Sequence, residues 1–270
     1  MKKFAVFGNP IAHSLSPDIH QMFAESCDQD IQYSRICAGE DTFEDEVRGF
    51  FDDPNAVGCN VTVPFKTRAF VMADVKDDAA CVARALNTLM KVDGKYFGYN
   101  TDGMGLVRDL AALDISLQGK QVSLLGAGGA ARGVIMPLLN AGVEKVAIIN
   151  RTLAKAQALV DEVADTRVQV ASPDQAGGQL IINSTSASLH HELPQGVAPT
   201  LFTRCEMAYD MVYASQPTSF MKYACEYGAE NQADGLGMLV EQAAAAFHIW
   251  TGCNPATFDV KERLRARLSQ

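Results

Sequence analysis

The sequence predicts an α/β fold assembled from βαβ units around mostly parallel sheets. Short apolar runs of strand length alternate with helix-like stretches along most of the chain. One such run, Val122-Ser123-Leu124-Leu125, opens directly into Gly126-Ala127-Gly128-Gly129-Ala130-Ala131 and then a helical pattern. That is the glycine-rich turn of a dinucleotide-binding βαβ unit in its proper context. The 270 residues exceed one ordinary domain and imply two domains or one large one.

Lys2 and Lys3 precede only Phe4-Ala5-Val6-Phe7 before Gly8-Asn9-Pro10. This run is too short for a secretory leader and reads as a first strand. In the helix expected at 16–26, Ser16 fits the N-cap and Pro17 the first helical position. Further strands are expected at 33–37, 58–61, 87–92, 121–125, 146–150, 167–171, 180–183 and 207–211, and further helices at 43–51, 66–72, 103–113, 130–141 and 154–163. Lys91-Val92-Asp93-Gly94-Lys95-Tyr96 is the local exception, because Asp-Gly suits a type I′ hairpin. Residues 236–250, rich in Ala, Leu, Met and Gln, read as a long helix stopped by Gly252, Asn254 and Pro255. Pro137 falls inside the 130–141 pattern and predicts a kink or a nearby turn. No repeat, low-complexity tract or Pro/Gly-rich linker interrupts the chain, so any domain boundary is tight; residues 100–103 are the best place for one.

A net charge of −9, with 48% hydrophobic and 20% charged residues, excludes a disordered chain, a collagen and a disulfide miniprotein. No run of about 18 apolar residues exists, so no membrane span is expected. Without a leader the chain is expected in the cytoplasm. The acidic balance argues against nucleic acid as partner but leaves room for a small anion held by a local cluster of donors. Seven cysteines without a CxxC pair or zinc spacing predict free thiols in a reducing compartment and no metal site. His13, His20, His190, His191 and His248 form neither metal spacing nor a Ser/His/Asp arrangement. Triplets beginning at Asn60, Asn150 and Asn183 match the glycan acceptor pattern and need another explanation in a cytoplasmic chain.

Gly126 allows the tight turn, Gly128 lets the backbone approach a pyrophosphate, and Ala131 lets helix pack on strand. Free N–H groups at the helix start face the anion. The next strand ends at Asn150-Arg151-Thr152, with Lys155 one turn later. An NAD site usually carries Asp or Glu here. Its absence, together with the Arg151 fork, the Lys155 charge and the Thr152 hydroxyl, favours a 2′-phosphate and therefore NADP(H) over NAD(H). Lys66 ends the run Asn60-Val61-Thr62-Val63-Pro64-Phe65-Lys66 and starts a helix, where the dipole disfavours a cation. A lysine so placed suits proton transfer. Alternation puts Asn60 and Thr62 on one side of the strand end. Ser14 and Ser16 flank a turn and can bind a polyol or a carboxylate, and Asn87-Thr88 offers an amide. Asp102, in Asn100-Thr101-Asp102-Gly103, is either a helix cap or the carboxylate that orients Lys66. Gln242 sits among Leu239, Val240, Ala243 and Ala246 and needs partners that a ligand can supply.

Taken in order, Gly8-Asn-Pro-Ile-Ala-His-Ser-Leu-Ser-Pro17, Asn60-Val-Thr-Val-Pro-Phe-Lys66, Asn87-Thr88, Asn100-Thr-Asp-Gly103, Gly126-Ala-Gly-Gly-Ala-Ala-Arg132, Asn150-Arg-Thr152 and Asp234-Gly-Leu-Gly-Met-Leu-Val-Glu-Gln242 resemble the shikimate dehydrogenase family over essentially the whole chain. The resemblance implies reversible, NADP-dependent reduction of 3-dehydroshikimate to shikimate in aromatic amino-acid biosynthesis, by a monomer or homodimer whose partner is the small-molecule substrate. It implies a discontinuous α/β substrate domain, residues 1–101 and 236–270, and a Rossmann-type NADP-binding domain, residues 102–235, with the cleft between them. Carried over by motif, Lys66 and Asp102 are the catalytic pair. Ser14, Ser16, Thr62, Asn87 and Gln242 contact shikimate, Asn60 belongs to the same motif, and Tyr213 lies near the substrate carboxylate. Gly126, Ala127, Gly128, Gly129, Ala130, Asn150, Arg151, Thr152 and Lys155 are the implied cofactor contacts, with Met211 and Gly235 near the nicotinamide. Two runs depart from the family pattern: Asn183-Ser-Thr-Ser-Ala-Ser-Leu189 has Ser188 where glycine is usual, and Arg84-Ala-Leu-Asn-Thr88 begins with Arg in place of Gly. The first bears on the loop beside the cofactor; neither removes a candidate catalytic group. The rival expectations are a quinate/shikimate paralogue with looser substrate and cofactor choice, and a non-catalytic NADP(H)-binding regulator.

Overall fold

The computed structural model of the chain describes residues 1–174 and 176–269. It divides into two compact units, one formed by Met1–Gly105 and Val240–Glu262, the other by Leu106–Leu239 and the residues from Arg263 onward.

The first unit carries β1 (Lys2–Gly8), α1 (Ser16–Ser26), β2 (Ile31–Cys37), α2 (Phe43–Phe50), β3 (Ala56–Val61), α3 (Lys66–Met72), β4 (Val75–Lys76), α4 (Asp78–Ala83), β5 (Thr88–Val92) and β6 (Lys95–Tyr99). Its strands form one sheet in the order β2-β1-β3-β5-β6-β4. β1 pairs in parallel with both β2 and β3. An interior strand covered on both faces is apolar without alternation, and Ala5, Val6 and Phe7 are all buried. Its two faces meet different partners. Ala5 and Phe7 join a core with Phe43, Val47, Phe65 and Leu89, while Phe4 stacks on Trp250 at 4.9 Å. β5 runs antiparallel to both β3 and β6, so this sheet is mixed. Asp93 and Gly94 take φ of 49° and 77° in the turn between β5 and β6, as a type I′ hairpin requires.

The second unit is entered through α5 (Asp102–Ala112) and continues as β7 (Gln121–Leu125), α6 (Gly129–Asn140), β8 (Lys145–Ile149), α7 (Leu153–Val163), β9 (Val168–Val170), β10 (Leu180–Asn183), β11 (Met207–Asp210), α8 (Ser219–Glu226) and β12 (Asn231–Asp234). All six strands are parallel, in the order β12-β11-β10-β7-β8-β9. The winding reverses at β7. Gly126 follows its carboxyl end, the place where doubly wound sheets bind ligands. Val122, Leu124, Ile148, Leu180 and Ile182 share a core with Val134, Leu138 and Leu159 of the covering helices. Pro137 lies in the last turn of α6, close to the helix end. The chain closes with α9 (Leu236–Thr251) and α10 (Phe258–Leu268).

The short elements β4, α4, α8, β12 and α10 leave weak marks in the sequence. β12 is a polar edge strand, and α10 buries only Val260 and Leu264. Leu236–Leu239 and the residues from Arg263 onward belong to the second unit, whereas residues 236–270 were expected wholly in the substrate domain. The ion pair of Arg265 with Asp234, at the end of β12, holds the last helix there.

One cysteine expectation fails. Cys27, after α1, and Cys253, after α9, are disulfide-bonded with Cα atoms 6.5 Å apart, and five thiols remain free. The pairing spans 226 residues and has no spacing signature. Among the described residues, no helix is long and apolar enough to cross a membrane, and no group of three His, Cys, Asp or Glu side chains is placed to hold a metal ion.

Candidate active site

In the first unit the carboxyl ends of β1 and β3, the start of α3 and the lead into α5 bring polar side chains together. β3 ends at Val61, and the Phe65 N–H closes a turn onto the Thr62 carbonyl at 2.9 Å before α3 starts at Lys66. The Lys66 carbonyl accepts from the Leu86 N–H, which pins this helix start to the segment entering β5. Lys66 Nζ donates to Asp102 Oδ2 at 2.5 Å, with 30% and 16% of the two side chains exposed. Asp102 begins α5, yet its carboxylate serves Lys66 and Asn87: Oδ1 accepts from Asn87 Nδ2 at 2.8 Å. Asn87 Nδ2 also lies 3.0 Å from Gln242 Oε1 on α9, so the half-buried glutamine finds a partner in its own unit. The ammonium and the carboxylate thus meet although 36 positions separate them.

The serines behave differently from a capping pair. α1 begins at Ser16, the cap position is Leu15, and no side chain caps it. Ser14 Oγ and Ser16 Oγ lie 3.2 Å apart, and Arg35 on β2 holds the Ser14 carbonyl. Ser14 Oγ also accepts from the Ser16 N–H at 3.3 Å, and the Ser16 hydroxyl reaches Tyr33; neither caps α1. Thr62 is half-buried just beyond β3. Asn60 is committed inside the protein: both Nδ2 protons go to the Asn87 carbonyl and Thr88 Oγ1, and Oδ1 accepts from Tyr33. It has no donor left for a ligand and organises the strand ends.

In the second unit Gly126 takes φ 107°, and a side chain there would meet Ser184 Oγ at 2.8 Å. Only glycine suits that backbone. At Gly128 and Gly129 an added Cβ would meet nothing within 4 Å, so the space before α6 is open to a ligand. No side chain caps α6, which leaves its first N–H groups directed at that space. Ala127 and Ala130 lie in the same turn, and Ala131 is fully buried against the sheet, as close helix–strand packing requires. After β8, Asn150 Nδ2 donates to the Thr152 carbonyl at 2.8 Å. Thr152 occupies the cap position of α7 without using its hydroxyl. Arg151, Thr152 and Lys155 are exposed, and among the described residues no carboxylate pairs with Arg151 or Lys155. Beside them opens a cavity of about 680 Å³ lined by Ile149, Asn150, Arg151, Leu153, Val170, Ala171, Ser172, Pro173, Gln195 and Gly196. Of these, the sequence singles out only Asn150 and Arg151; residues 171–173 follow the carboxyl end of β9, which is the available signal.

Met211 follows β11 and Gly235 follows β12, and a side chain at 235 would overlap the Met211 carbonyl. Asp234 fixes this corner by accepting from the Ala214 and Leu236 N–H groups and pairing with Arg265. Tyr213 is half-buried in the second unit; burial first, and the Asp234 charge second, raise its phenol above the ordinary value. Ser188, the departure from the family pattern, donates to Asp210 Oδ2 at 2.6 Å and ties its loop to the end of β11. Thr218 and Asn183 also donate to the Asp210 carboxylate, which burial nonetheless pushes up from its usual range.

Families described as the shikimate dehydrogenase substrate binding domain, shikimate/quinate 5-dehydrogenase and the shikimate 5′-dehydrogenase C-terminal domain match residues 6–89, 109–191 and 235–265. A shikimate dehydrogenase (NADP(+)) of Alteromonas mediterranea is 51% identical over 274 residues, covering 100% of this chain and 98% of that protein. Among solved structures, an Ael1 enzyme from Pseudomonas putida superposes with a TM-score of 0.94 at 40% identity, covering 98% of both chains. A shikimate 5-dehydrogenase from Thermus thermophilus, solved in complex with NADP(H) and shikimate, gives 0.88 at 34% identity, covering 99% of this chain and 100% of that one.

Proposed function

Because this chain belongs to the shikimate dehydrogenase family, we propose that it interconverts 3-dehydroshikimate and shikimate with NADP(H), an oxidation–reduction at a CH–OH group that serves aromatic amino-acid biosynthesis. The observation that carries the reading is the Lys66–Asp102 pair at 2.5 Å, flanked by Asn87 and Gln242. A protein that only bound the cofactor would need none of these four.

The residues of the second unit fit NADP(H). The cavity beside Arg151 has apolar walls, Ile149, Leu153, Val170 and Pro173, suited to an adenine ring. Arg151, Lys155 and Thr152 would hold the 2′-phosphate, and the uncapped start of α6 the pyrophosphate. When bound, NADPH supplies the hydride. Lys66 holds the proton delivered to the substrate oxygen as negative charge develops there, and its ammonium stabilises that charge. In the oxidative direction its neutral amine takes the proton of the shikimate hydroxyl. Asp102 orients Lys66 and accepts from a substrate hydroxyl. Ser14, Ser16 and Thr62 are assigned to the substrate carboxylate and hydroxyls, and Tyr213 to the carboxylate. Met211 and Gly235 are assigned to the nicotinamide end of the cofactor site.

The match of residues 109–191 to a family described as shikimate/quinate 5-dehydrogenase keeps a broader substrate range as the second reading. Absorbance at the reduced nicotinamide band, with shikimate or quinate and NADP⁺ or NAD⁺, tests both. Shikimate with NADP⁺ is expected to give the highest kcat/KM. Equal values with quinate would establish the broader enzyme, and no turnover of shikimate would overturn the proposal.

A further inference from the structure

Behind the Lys66–Asp102 pair lies a run of side chains that the roles above leave unused. Tyr33 on β2, Asn60 on β3 and Thr88 at the start of β5 are linked through hydrogen bonds that lead to Asn87. Two backbone groups fix the direction of every bond. The Asn87 carbonyl can only accept, so Asn60 presents Nδ2 to it at 3.0 Å, and Asn60 Oδ1 accepts from the Tyr33 hydroxyl at 2.7 Å. The second Nδ2 proton of Asn60 goes to Thr88 Oγ1 at 3.1 Å. Thr88 must then send its own proton to Asn87 Oδ1, 3.0 Å away. The Thr101 N–H can only donate, and it meets the same Asn87 Oδ1 at 2.9 Å. Asn87 is left with Nδ2 facing Asp102 Oδ1 at 2.8 Å. At the far end the Ser16 hydroxyl acts on the Tyr33 oxygen. Thr88, Asn87 and Asn60 are 0%, 3% and 6% exposed, so bulk water has little access to replace a missing member.

We infer that Thr88, with Asn60 and Tyr33 behind it, is a positioning residue for proton transfer: its hydroxyl keeps the amide of Asn87 turned so that NH₂, and not C=O, faces Asp102. This rests on the reaction proposed above and deepens it. A carbonyl turned toward the carboxylate would repel it and disturb its grip on Lys66. Removing the Thr88 hydroxyl takes one of three donors from Asn87 Oδ1, leaving the Thr101 N–H and the Thr101 hydroxyl at 3.2 Å, and it strands an Asn60 proton without its acceptor in a buried site.

The test compares Thr88→Val, which keeps the shape and loses the hydroxyl, with Thr88→Ser, which loses a methyl and keeps the hydroxyl. For shikimate oxidation by NADP⁺, Thr88→Val is expected to lower kcat about tenfold with KM for NADP⁺ unchanged, and Thr88→Ser to recover most of it. A residue that merely filled space would give the opposite order, because serine leaves the cavity. Fluorescence of Trp250 checks that each variant is folded. Should Thr88→Val fail to fold, Tyr33→Phe carries the comparison, with a loss of about threefold in kcat expected and a wild-type kcat overturning the inference. Val equal to or faster than Ser in an active enzyme refutes the inference alone. A wild-type chain that leaves shikimate unoxidised refutes the reaction, and this inference with it.

Discussion

Acidification from pH 7 to pH 5 should weaken the first unit through one residue, His20. Its ring is fully buried, lies flat on Tyr33 at 4.4 Å, and is enclosed by Phe23, Phe247 and Trp250. Neither ring nitrogen has a hydrogen-bond partner among the described residues. Burial drives its pKa from 6.5 to about 3, with Asn60 opposing the shift. The imidazole is therefore neutral in the fold and charges on unfolding at mildly acid pH. Between about 3 and 6.5 the unfolded chain binds the extra proton, so stability present above 6.5 is lost as pH falls through that window. At pH 5 the loss from this one group is about 2 kcal/mol relative to pH 7, from 1.5 pH units below the unfolded value at about 1.4 kcal/mol per unit. Phenylalanine at position 20 keeps an aromatic ring against Tyr33 and removes both the titration and the unpaired nitrogens. Trp250 is the single tryptophan of the chain, with its ring 5.4 Å from that of His20, so urea unfolding followed by its fluorescence reports on this unit. The wild type should lose about 2 kcal/mol more than His20→Phe between pH 7 and pH 5. An equal loss in the two proteins would falsify the assignment.

Replacing Arg151 by Ala should raise KM for NADP⁺ by about 10–100-fold while moving that for NAD⁺ only a few-fold, since hydrogen bonds to a charged phosphate oxygen are worth about 1.5–3 kcal/mol; equal effects on both cofactors, read in initial-rate assays, would remove Arg151 from the 2′-phosphate. The Cys27–Cys253 bond closes a long loop, so Cys27→Ser should lower the stability of the first unit by about 2–4 kcal/mol in the Trp250 assay. Alkylation of the denatured, unreduced chain should label five thiols, and seven would show the bond absent.

The parts of the site that the sequence made legible are those whose chemistry sits on one contiguous run. Lys66 stood out because a cation begins α3, against the helix dipole. The cofactor preference stood out because Asn150-Arg151-Thr152 ends β8, where a carboxylate would otherwise be expected. The alternation of strand and helix was enough for the α/β class, and β7 and β10 have the expected bounds. What stayed hidden depends on neighbours across a sheet. Asn60 read as a ligand contact, yet its partners Tyr33 and Thr88 lie 27 and 28 positions away and consume its amide. Ser16 read as a helix cap because Ser-Pro is a strong start signal, while the helix begins one residue earlier than that role requires. The disulfide joins residues with nothing local in common, and β12 and α10 offer too few buried apolar positions to show a period.

Lys66, held by Asp102, is the proposed proton-transfer group on which the reaction depends. The direct measurement is kcat for shikimate oxidation by Lys66→Ala, followed through formation of reduced nicotinamide. A fall of about 10²–10⁴-fold with KM for shikimate within a few-fold is the predicted result. A kcat close to that of the wild type would mean that the proton moves by another route and that the pair is structural.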